Sequence, residues 1–348
     1  MFVINARFLT QNISGVQRYA IEVCRELKKK SPNVVLVAPK NILHQDLVSE
    51  FDVVVFGKFT GHLWEQVELP LFLQKQGSPL LINMANTAPI YYKNKITVVH
   101  DVAFERFPQS FSKKFRWFYK LFIPKIIASS KHIVTVSEFS KSEIIALYDI
   151  KINKIEVVHN AASSFFKPTR AKVNEKYVLA VSSLNYQKNF HSLIKAFNLL
   201  NQSDVKLFLV GAINKNFSDH SLISDIEHNA NITFLGRVND EELVSLYSNA
   251  ECFVYPSLYE GFGIPPLEAQ ACGCPCLVSC EASLPEVCLD SAVYCDAYNV
   301  SDIAKKLDLI LKDSSLRNDL SAKGFENIKR FSWSRSADKM LTIIEKNL

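Results

Sequence analysis

Residues 259–268, with the sequence YEGFGIPPLE, place two glutamates eight positions apart, on either side of a Gly-x-Gly turn and a proline pair. The apolar run CFVYP at residues 252–256 predicts a strand that a proline ends, and LEAQAC at residues 267–272 predicts the start of a helix. This order of strand, glycine turn and helix puts unpaired backbone amides and a positive helix end at the carboxyl edge of an α/β sheet. The segment therefore predicts a phosphate-binding turn.

The two glutamates of this segment fit either a ligand site or the fold alone. Glu260 is expected on the loop beside a bound molecule, and Glu268 is expected about two turns into the helix. One carboxylate could then hold a sugar hydroxyl and the other a ribose. The alternative is a tight turn followed by a glutamate that the helix dipole favours near the helix start. The spacing alone does not separate these two interpretations.

Five short motifs, in order along the chain, resemble those of a known family. Residues 260–268 resemble the Glu-x7-Glu motif of the retaining GT-B glycosyltransferases of family 4, which include many bacterial mannosyltransferases. The other four motifs are VHD at residues 99–101, VSEFSK at 136–141, KN at 188–189 and SLPEV at 283–287. The last of these is similar to the motif of the branch that builds surface polysaccharides. The resemblance covers nearly the whole chain.

Short apolar runs alternate with helical segments along the whole chain. This pattern predicts an α/β fold of two doubly wound halves, in which helices cover both faces of parallel sheets. The predicted strands cover residues 2–6, 34–38, 53–56, 80–83, 96–100, 133–137, 155–159, 177–182, 206–210, 232–235, 252–255, 275–278 and 292–295. The predicted helices include residues 15–30, 63–76, 112–129, 138–147 and 333–348.

The domain boundaries follow from a stretch without periodic pattern at residues 161–175, which predicts a linker. We place a first Rossmann-like domain at residues 1–165, a second at 166–330 and a C-terminal helix at 331–348. The resemblance implies the GT-B arrangement, in which the two domains face each other across a cleft and the last helix crosses back to the first domain. It also implies that the first domain binds the acceptor and the second a nucleotide sugar.

The composition is that of a folded protein, with 48% apolar and 22% charged residues among 348. No apolar run approaches the roughly 20 residues that span a bilayer, and residues 1–7 predict a first strand rather than a signal peptide. A cytoplasmic location is therefore expected.

Seven of the eight cysteines fall in the second half. The run CPCLV at residues 274–278 predicts a strand with cysteines as small buried side chains rather than a zinc site.

The net charge of +5 is unevenly distributed. Residues 1–170 contain 23 Lys or Arg and 13 Asp or Glu, a balance of +10, whereas the remaining residues have a balance of −5. A basic first half predicts an anionic partner for that half. No nucleic-acid recognition motif accompanies the charge, so we expect no nucleic-acid partner. The favoured partners are the anionic inner face of the cytoplasmic membrane and a lipid-linked diphosphate.

Residues 112–122, SKKFRWFYKLF, interleave basic and aromatic residues at helical spacing. Such a helix could lie at a membrane surface, with its aromatic side chains among the headgroups and its cations on anionic lipid. The alternative is an ordinary helix that packs its aromatic side chains on the sheet and leaves its lysines in water. We expect peripheral attachment to the inner membrane face, and the sequence leaves both uses of this helix open.

For the diphosphate of the donor, the resemblance implies Lys188, in the loop after the first strand of the second domain. A lysine at this position can neutralise a diphosphate leaving group. Many relatives also carry arginines in this loop, where Gln187 and Ser183 stand here. The departure predicts either that Lys188 bears most of the phosphate charge or that Arg237 contributes to it, and Ser183 is assigned to the donor contacts. The alternative is an unpartnered surface lysine.

The resemblance implies further contacts to the donor. Gly15, between the first strand and the first helix, would approach the phosphates from the first domain, and His100 would lie near the donor sugar. Backbone groups at Arg237 and Val238, just after Gly236, would hold the base. The alternatives are a plain helix start at Gly15 and a structural, hydrogen-bonded histidine at His100.

The mechanism follows from the resemblance and from a missing motif. No Asp-x-Asp motif for a metal-bound diphosphate occurs, so we expect neither a metal site nor a cofactor. The resemblance implies retention of the anomeric configuration, with the departing phosphate accepting the proton of the attacking hydroxyl. His100, Glu260 and Lys188 are assigned to catalysis, and Glu268 to the ribose. The turn contributes the remaining donor contacts, which are Gly261, Phe262, Gly263 and Ile264.

The predicted function is that of a retaining hexosyltransferase. It moves a hexose from a nucleotide-diphosphate sugar, with GDP-mannose favoured, to a saccharide on a polyprenyl diphosphate lipid in bacterial O-antigen or capsule synthesis. Two alternatives stay open. A non-hydrolysing nucleotide-sugar 2-epimerase shares the fold but is not expected to carry both the KN and LPEV motifs. A catalytically silent scaffold of a polysaccharide-synthesis complex is expected to lack Glu260, Glu268 or Lys188, and all three are present.

Overall fold

The chain divides into two units that alternate along the sequence. The structure, a computed structural model, describes residues 1–169, 175–200, 204–212 and 229–348, so residues 170–174 of the predicted linker lie outside the described ranges. Unit 1 contains Met1–Val102, Lys113–Asn160 and Trp333–Leu348. Unit 2 contains Ala103–Ser112 and Ala161–Ser332.

Unit 1 is built on a parallel sheet. Its strands are β1 Phe2–Asn5, β2 Val34–Ala38, β3 Val54–Val55, β4 Leu80–Asn83, β5 Lys95–Val98, β6 His132–Thr135 and β7 Ile155–Val157. Among the described residues their order in the sheet is β3-β2-β1-β4-β5-β6-β7. Every residue of β1, β4, β5 and β6 is buried, as expected for strands that helices cover on both faces. The strand order reverses between β1 and β4, which is the switch point of this sheet.

The helices of unit 1 follow the predicted alternation with the strands. Their bounds are Gly15–Lys30, Gln45–Phe51, Gly61–Leu63, Leu69–Lys75, Lys113–Ser129, Glu138–Tyr148 and Trp333–Glu345. A π-helical turn at Trp64–Glu68 joins the third of these to the fourth, so residues 61–75 form one continuous helical segment.

The C-terminal helix packs on unit 1, as predicted. Trp333 lies edge-on to Tyr19 of the first helix, with ring centroids 6.0 Å apart. Ser336 Oγ donates a hydrogen bond to the His159 carbonyl at 2.6 Å. The last helix thus packs against the first helix and is hydrogen-bonded to the chain just after β7.

Unit 2 is built on a second parallel sheet. Its strands are β8 Lys176–Val181, β9 Val205–Val210, β10 Ile232–Gly236, β11 Cys252–Tyr255, β12 Cys276–Ser279 and β13 Ala292–Cys295. Among the described residues their order is β10-β9-β8-β11-β12-β13, with the switch point between β8 and β11. The described helices are Ala103–Arg106, Phe190–Asn198, Asp240–Asn249, Ile264–Ala271, Leu284–Cys288, Val300–Lys312 and Ser314–Ile328. The predicted α/β class with two doubly wound sheets is confirmed.

The predicted strands are all present, with ends that differ by at most two residues. One difference affects a candidate site residue. The strand predicted at residues 96–100 ends at Val98, so His100 lies two residues beyond the strand rather than at its last position.

The helix after the glycine turn starts earlier than predicted. It begins at Ile264 and not at Leu267, because Pro265 and Pro266 fit the first turn of a helix, where a missing N–H breaks no intrahelical hydrogen bond. Glu268 is therefore the fifth residue of the helix, just over one turn from its start, and the predicted position two turns in is wrong.

The cysteines of the second half are mostly buried. All but Cys280 of the eight cysteines are buried in the structure. Burial raises the pKa of the Cys274 and Cys276 thiols well above the usual range, so both thiols stay protonated. These residues pack as small hydrophobic side chains in and beside β12.

Candidate active site

The carboxyl edge of the unit 2 sheet gathers most of the predicted site residues. Lys188 follows β8, Arg237 and Val238 follow β10, and Glu260 follows β11. Strands β8 and β11 are neighbours in the sheet and flank its switch point. Doubly wound sheets bind ligands at such a position. Lys188 and Glu260 come from the two loops on either side of it.

Lys188 and Glu260 form a buried ion pair at this switch point. Lys188 Nζ lies 2.5 Å from Glu260 Oε1, and the two side chains are only 13% and 10% exposed. Lys188 Nζ also donates to Tyr255 Oη at 3.2 Å. Ser257 Oγ donates to the same Glu260 oxygen at 2.7 Å. Each charge of the pair is thus held by the other and by one neutral hydroxyl.

The charge states of these groups depend on each other. Burial lowers the pKa of Lys188, but the Glu260 carboxylate and the Tyr255 hydroxyl raise it by more, so the net shift is upward. Lys188 is therefore an ammonium group at neutral pH. For Tyr255, burial and then the charge of Glu260 raise the pKa, which keeps the hydroxyl protonated.

The loops that carry the ion pair are held in place by hydrogen bonds to backbone carbonyls. The Gln187 carbonyl accepts from the Leu258 amide at 2.8 Å. Asn189 Nδ2 donates to the Pro256 carbonyl at 3.0 Å and to the Ala297 carbonyl at 2.7 Å. Asn189 has a left-handed backbone with φ of 60°, which asparagine tolerates better than most residues. The Lys-Asn motif therefore supplies one residue to the ion pair and one that ties its loop to neighbouring strand ends.

The turn between the two glutamates requires glycine and is braced by a serine. Gly263 has φ of 97°, and a Cβ there would lie 2.7 Å from Leu284 Cδ2. Ser283 Oγ lies 3.0 Å from the Glu260 carbonyl and 2.8 Å from the Phe262 carbonyl, within hydrogen-bonding distance of both. The SLPEV motif thus supports the turn from the loop after β12.

The first turn of the helix Ile264–Ala271 offers fewer backbone N–H groups to a phosphate than the sequence pattern predicts. Pro265 and Pro266 are its second and third residues, and proline has no N–H to donate. A phosphate at this position would therefore meet amides of the glycine turn rather than those of the first helical turn.

Glu268 has a separate partner from Glu260. It is buried, and Tyr247 Oη donates to its Oε2 at 3.4 Å. Burial, and then the charge of Glu268, raises the pKa of Tyr247 well above its usual range, so the phenol remains a donor. Within the part of the chain that the structure describes, no group of three or more His, Cys, Asp or Glu side chains is placed to hold a metal ion.

His100 belongs to unit 1 and turns its ring into that unit. Its Nε2 lies 2.9 Å from the Met84 carbonyl, and its ring stands edge-on to Tyr19 with centroids 4.9 Å apart. Burial lowers the pKa of His100 to about 4, and the Met84 carbonyl opposes this shift only in part. The ring is therefore neutral at pH 7, with its proton on Nε2. The backbone amide of His100 donates to Asn86 Oδ1 at 2.8 Å, which fixes the course of the chain here.

The other four candidates lie outside the ion-paired cluster. Gly15 is the exposed first residue of the first helix of unit 1. Ser183, in the loop after β8, accepts a hydrogen bond from Asn185 Nδ2 at 3.2 Å. Arg237 is exposed and Val238 is half-buried. Among the described residues, no hydrogen bond or ion pair joins these candidates to Lys188 or Glu260 directly.

Sequence reasoning missed two parts of the site. Tyr255 and Ser257 contact the ion pair, but a tyrosine and a serine at a strand end carry no signal of their own. The segment Ala103–Ser112 belongs to unit 2, where Ser110 Oγ accepts from the Gln187 amide at 3.2 Å. No local pattern could reveal this contact, because it joins residues 77 positions apart.

Two family models match the chain, one after the other. "Glycosyltransferase Family 4" matches residues 13–163, and "Glycosyl transferases group 1" matches residues 162–327. The two matches meet within three residues of the junction between Asn160 and Ala161, where unit 1 gives way to unit 2.

Two similar proteins are named for O-antigen synthesis. The O-antigen chain mannosyltransferase B of Escherichia coli is 33% identical over 260 residues, which cover 70% of this chain and 68% of that protein. The O-antigen chain mannosyltransferase RfbU of Salmonella typhimurium is 34% identical over 217 residues, which cover 62% of this chain and 60% of that protein. The matched part of the chain thus spans about three fifths to two thirds of the length of these relatives.

The fold is shared with solved glycosyltransferase structures. A glycosyltransferase from Rickettsia africae is similar over 99% of this chain and 98% of its own, with a TM-score of 0.77 and 18% sequence identity. At this identity the likeness concerns the fold alone. It confirms the predicted GT-B class of two Rossmann-like units.

Breaking the Lys188–Glu260 pair from one side should destabilise the protein. Lys188→Met leaves a buried carboxylate without its cation, and Glu260→Gln leaves a buried ammonium without its anion, each at a cost of about 3–5 kcal/mol of unfolding free energy. The double variant removes both charges, so its loss should fall short of the sum of the single losses by about 2 kcal/mol or more. Urea unfolding of the four proteins measures this coupling.

The exposed pair Lys176–Asp204, at 3.3 Å, is the matched control. Because its side chains are 61% and 67% exposed, the cycle of Lys176→Met and Asp204→Asn should give a coupling of about 1 kcal/mol at most. Equal coupling energies at the two pairs would contradict the buried ion pair.

Proposed function

The chain belongs to the family 4 glycosyltransferases, and on that premise we propose that it is a retaining mannosyltransferase. It transfers mannose from GDP-mannose to a saccharide carried by a polyprenyl diphosphate lipid, in the synthesis of a bacterial O-antigen or capsule. The observation that carries this proposal is the buried Lys188–Glu260 pair at the switch point of unit 2, which two motifs of the family form. The names of the Escherichia coli and Salmonella relatives support mannose as the sugar.

The ion pair suits a ligand that carries a diphosphate next to a sugar. Lys188 can turn from Glu260 to the diphosphate oxygens, and Glu260 can then accept hydrogen bonds from sugar hydroxyls. The donor brings a partner for each charge, so neither side chain is left buried and unpaired. Because backbone hydrogen bonds already fasten both loops, binding exchanges side-chain partners without rebuilding the loops.

In the proposed reaction the bond from the anomeric carbon to the diphosphate oxygen breaks, and a bond from that carbon to the acceptor oxygen forms. The acceptor attacks from the face that the diphosphate leaves, and its proton passes to the departing phosphate. Lys188 stabilises the negative charge that develops on the diphosphate, and Glu260 the positive charge on the sugar ring. This path retains the anomeric configuration and needs no metal ion.

The remaining candidates keep supporting roles in this proposal. Because the His100 ring is neutral and packed against Tyr19, we assign the contribution of His100 to its backbone, beside the donor sugar. Glu268, held by Tyr247, is assigned to the ribose. The other nucleotide contacts are assigned to Gly15, Ser183, Arg237, Val238, Gly261, Phe262, Gly263 and Ile264.

Peripheral attachment of unit 1 to an anionic membrane surface is part of the proposal. The helix Lys113–Ser129 exposes Phe115, Trp117 and Leu121, by 36%, 67% and 41%. The exposed ring of Trp117 does not pack on the sheet, which favours an interfacial helix over an ordinary one. None of the described helices is long and apolar enough to cross a membrane.

A second apolar face lies beside this helix. Leu63, Val67 and Leu71, at helical spacing on the segment of residues 61–75, are 54%, 41% and 50% exposed. The two elements are adjacent, since the ring of His62 lies 4.5 Å from that of Phe118. Exposed apolar side chains on neighbouring helices are typical of a membrane or partner surface.

Glu260→Gln should lower kcat with GDP-mannose about 100-fold, an effect of about 3 kcal/mol, because the amide cannot stabilise positive charge on the sugar ring.

Lys188→Met should weaken binding of GDP by roughly tenfold or more, and binding of GMP by less, because a charge-assisted hydrogen bond to the outer phosphate is lost. Steady-state kinetics and calorimetry measure the two effects.

Lys176→Met, at the amino end of β8, is the control and should bind GDP and GMP as the wild type does. Wild-type turnover should persist in EDTA, and NMR of the product should show the anomeric configuration of the donor. Inversion or a strict need for Mg²⁺ would contradict the mechanism. Equal losses of GDP and GMP affinity in Lys188→Met would show that Lys188 does not bind the outer phosphate of the diphosphate.

The wild type should sediment with vesicles of anionic lipid at low ionic strength and leave them at high salt. Each Lys or Arg near such a surface contributes about 1 kcal/mol, and salt screens this attraction. Changing Lys113, Lys114 and Arg116 together to Glu should therefore abolish most of the sedimentation.

The matched control carries the same change of charge on unit 2. Lys305, Lys306 and Lys312, on helix Val300–Lys312, are changed together to Glu, and this variant should sediment nearly as the wild type does. Equal losses in both triple variants would show that net charge alone attracts the protein. No sedimentation of the wild type at low salt would rule out attachment through unit 1.

A further inference from the structure

A second buried polar network lies at the switch point of unit 1. The strands that flank this point end at Asn5 and Asn83, and Asn5 Nδ2 donates to Asn83 Oδ1 at 3.0 Å. Glu65 Oε1 accepts from three donors: Asn5 Nδ2 at 2.8 Å, Arg7 Nε at 3.1 Å and Thr87 Oγ1 at 3.1 Å. All five residues are buried. The network thus occupies the position at which doubly wound sheets bind ligands.

Glu65 carries a negative charge within this network. Burial raises the pKa of Glu65, but Arg7 and His62 lower it by more, to about 2. An ionised carboxylate can only accept hydrogen bonds. The proton in the 3.2 Å contact between Glu65 Oε2 and His62 Nδ1 therefore belongs to the histidine. Glu65 thereby sets both the orientation of the His62 ring and the nitrogen that carries its proton.

His62 connects the buried network to the surface. Its side chain is 37% exposed, whereas that of Glu65 is 1% exposed. No hydrogen bond among the described residues involves His62 Nε2. The ring lies against Phe118, and the π-helical turn Trp64–Glu68 begins two residues after His62. Such turns are rare and occur frequently at functional sites.

A purely structural role of this network does not require His62. The Glu65 oxygen that faces the sheet already has three donors, so the carboxylate is held without the histidine. His62 bonds the other oxygen and extends the network outward. An imidazole held by a buried carboxylate, with its second nitrogen accessible, is an arrangement that binds or orients a ligand.

We propose that His62 binds a hydroxyl group of the saccharide acceptor through Nε2. A sugar hydroxyl donates to Nε2 when only Nδ1 of the ring carries a proton, and it accepts from Nε2 when both nitrogens are protonated, so it fits the ring in either charge state. The oxygens of an ionised diphosphate can only accept, so the diphosphate fits one of these two states, and the saccharide hydroxyl is the group that fits both. Glu65 and Arg7 are positioning residues for His62. This inference rests on the proposed transfer to a saccharide acceptor.

Kinetics with GDP-mannose and octyl α-mannoside, a short saccharide acceptor, test the assignment. His62→Leu should raise the KM for octyl α-mannoside roughly tenfold, as expected for the loss of one hydrogen bond to a ligand, and leave the KM for GDP-mannose unchanged. Glu65→Gln should raise the same KM. The double variant should raise it no further, because Glu65 acts through His62.

His132→Leu is the matched control. His132 Nε2 lies 3.5 Å from Glu156 Oε1 at the amino end of β6, away from the carboxyl edge of the same sheet, so both KM values should stay as in the wild type. An unchanged acceptor KM in His62→Leu would overturn the proposal, even if Glu65→Gln fails to fold. If the effects of the two substitutions on the KM for octyl α-mannoside add up in the double variant, Glu65 does not act by positioning His62.

Hydrolysis of GDP-mannose in the absence of acceptor separates this inference from the proposed function. A wild type that neither hydrolyses GDP-mannose nor transfers mannose contradicts the proposed function itself. A wild type that hydrolyses GDP-mannose but does not transfer mannose to octyl α-mannoside overturns the saccharide assignment of His62.

Discussion

The ion pair between Lys188 and Glu260 is the interaction on which the candidate site depends. Two charges that are about nine-tenths buried are tolerated only while each has a partner, so the loops that carry them must stay in register. Asn189 and Ser283 hold those loops to neighbouring strand ends. The strand order places the two loops on either side of one switch point. Sheet topology, loop hydrogen bonds and charge pairing therefore act together at this edge.

The two units stabilise buried charges at the switch points of their sheets in different ways. Each sheet has a buried pair of opposite charges at its switch point, Lys188–Glu260 in unit 2 and Arg7–Glu65 in unit 1. In unit 1 one carboxylate oxygen has three donors, so this pair forms a fixed support and its outward branch ends at His62. In unit 2 the main partner of the Glu260 carboxylate is the Lys188 ammonium group, and the main partner of Lys188 is Glu260. A ligand with a diphosphate and hydroxyl groups can therefore replace both partners.

Local features of the fold could be predicted from the sequence, and long-range contacts could not. Apolar runs and turn residues predict each strand of the described residues to within two residues, because these signals lie within a few positions of each other. The helix begins at Ile264, three residues before its predicted start, because Pro265 and Pro266 fit the first turn of a helix although proline usually indicates a turn. Lys188 and Glu260 were each predicted, but their direct contact joins residues 72 positions apart. The placement of Ala103–Ser112 in unit 2 has no sequence signal.

A structure of the protein with an unreactive GDP-mannose analogue is the most direct test of the exchange of partners at the switch point. We expect Lys188 Nζ, which lies 2.5 Å from Glu260 Oε1 in this structure, to leave that oxygen and to contact the diphosphate oxygens. We expect Glu260 to accept hydrogen bonds from the hydroxyls of the sugar. A bound analogue beside an intact Lys188–Glu260 pair, or an analogue bound at another edge of unit 2, would contradict the proposed donor site.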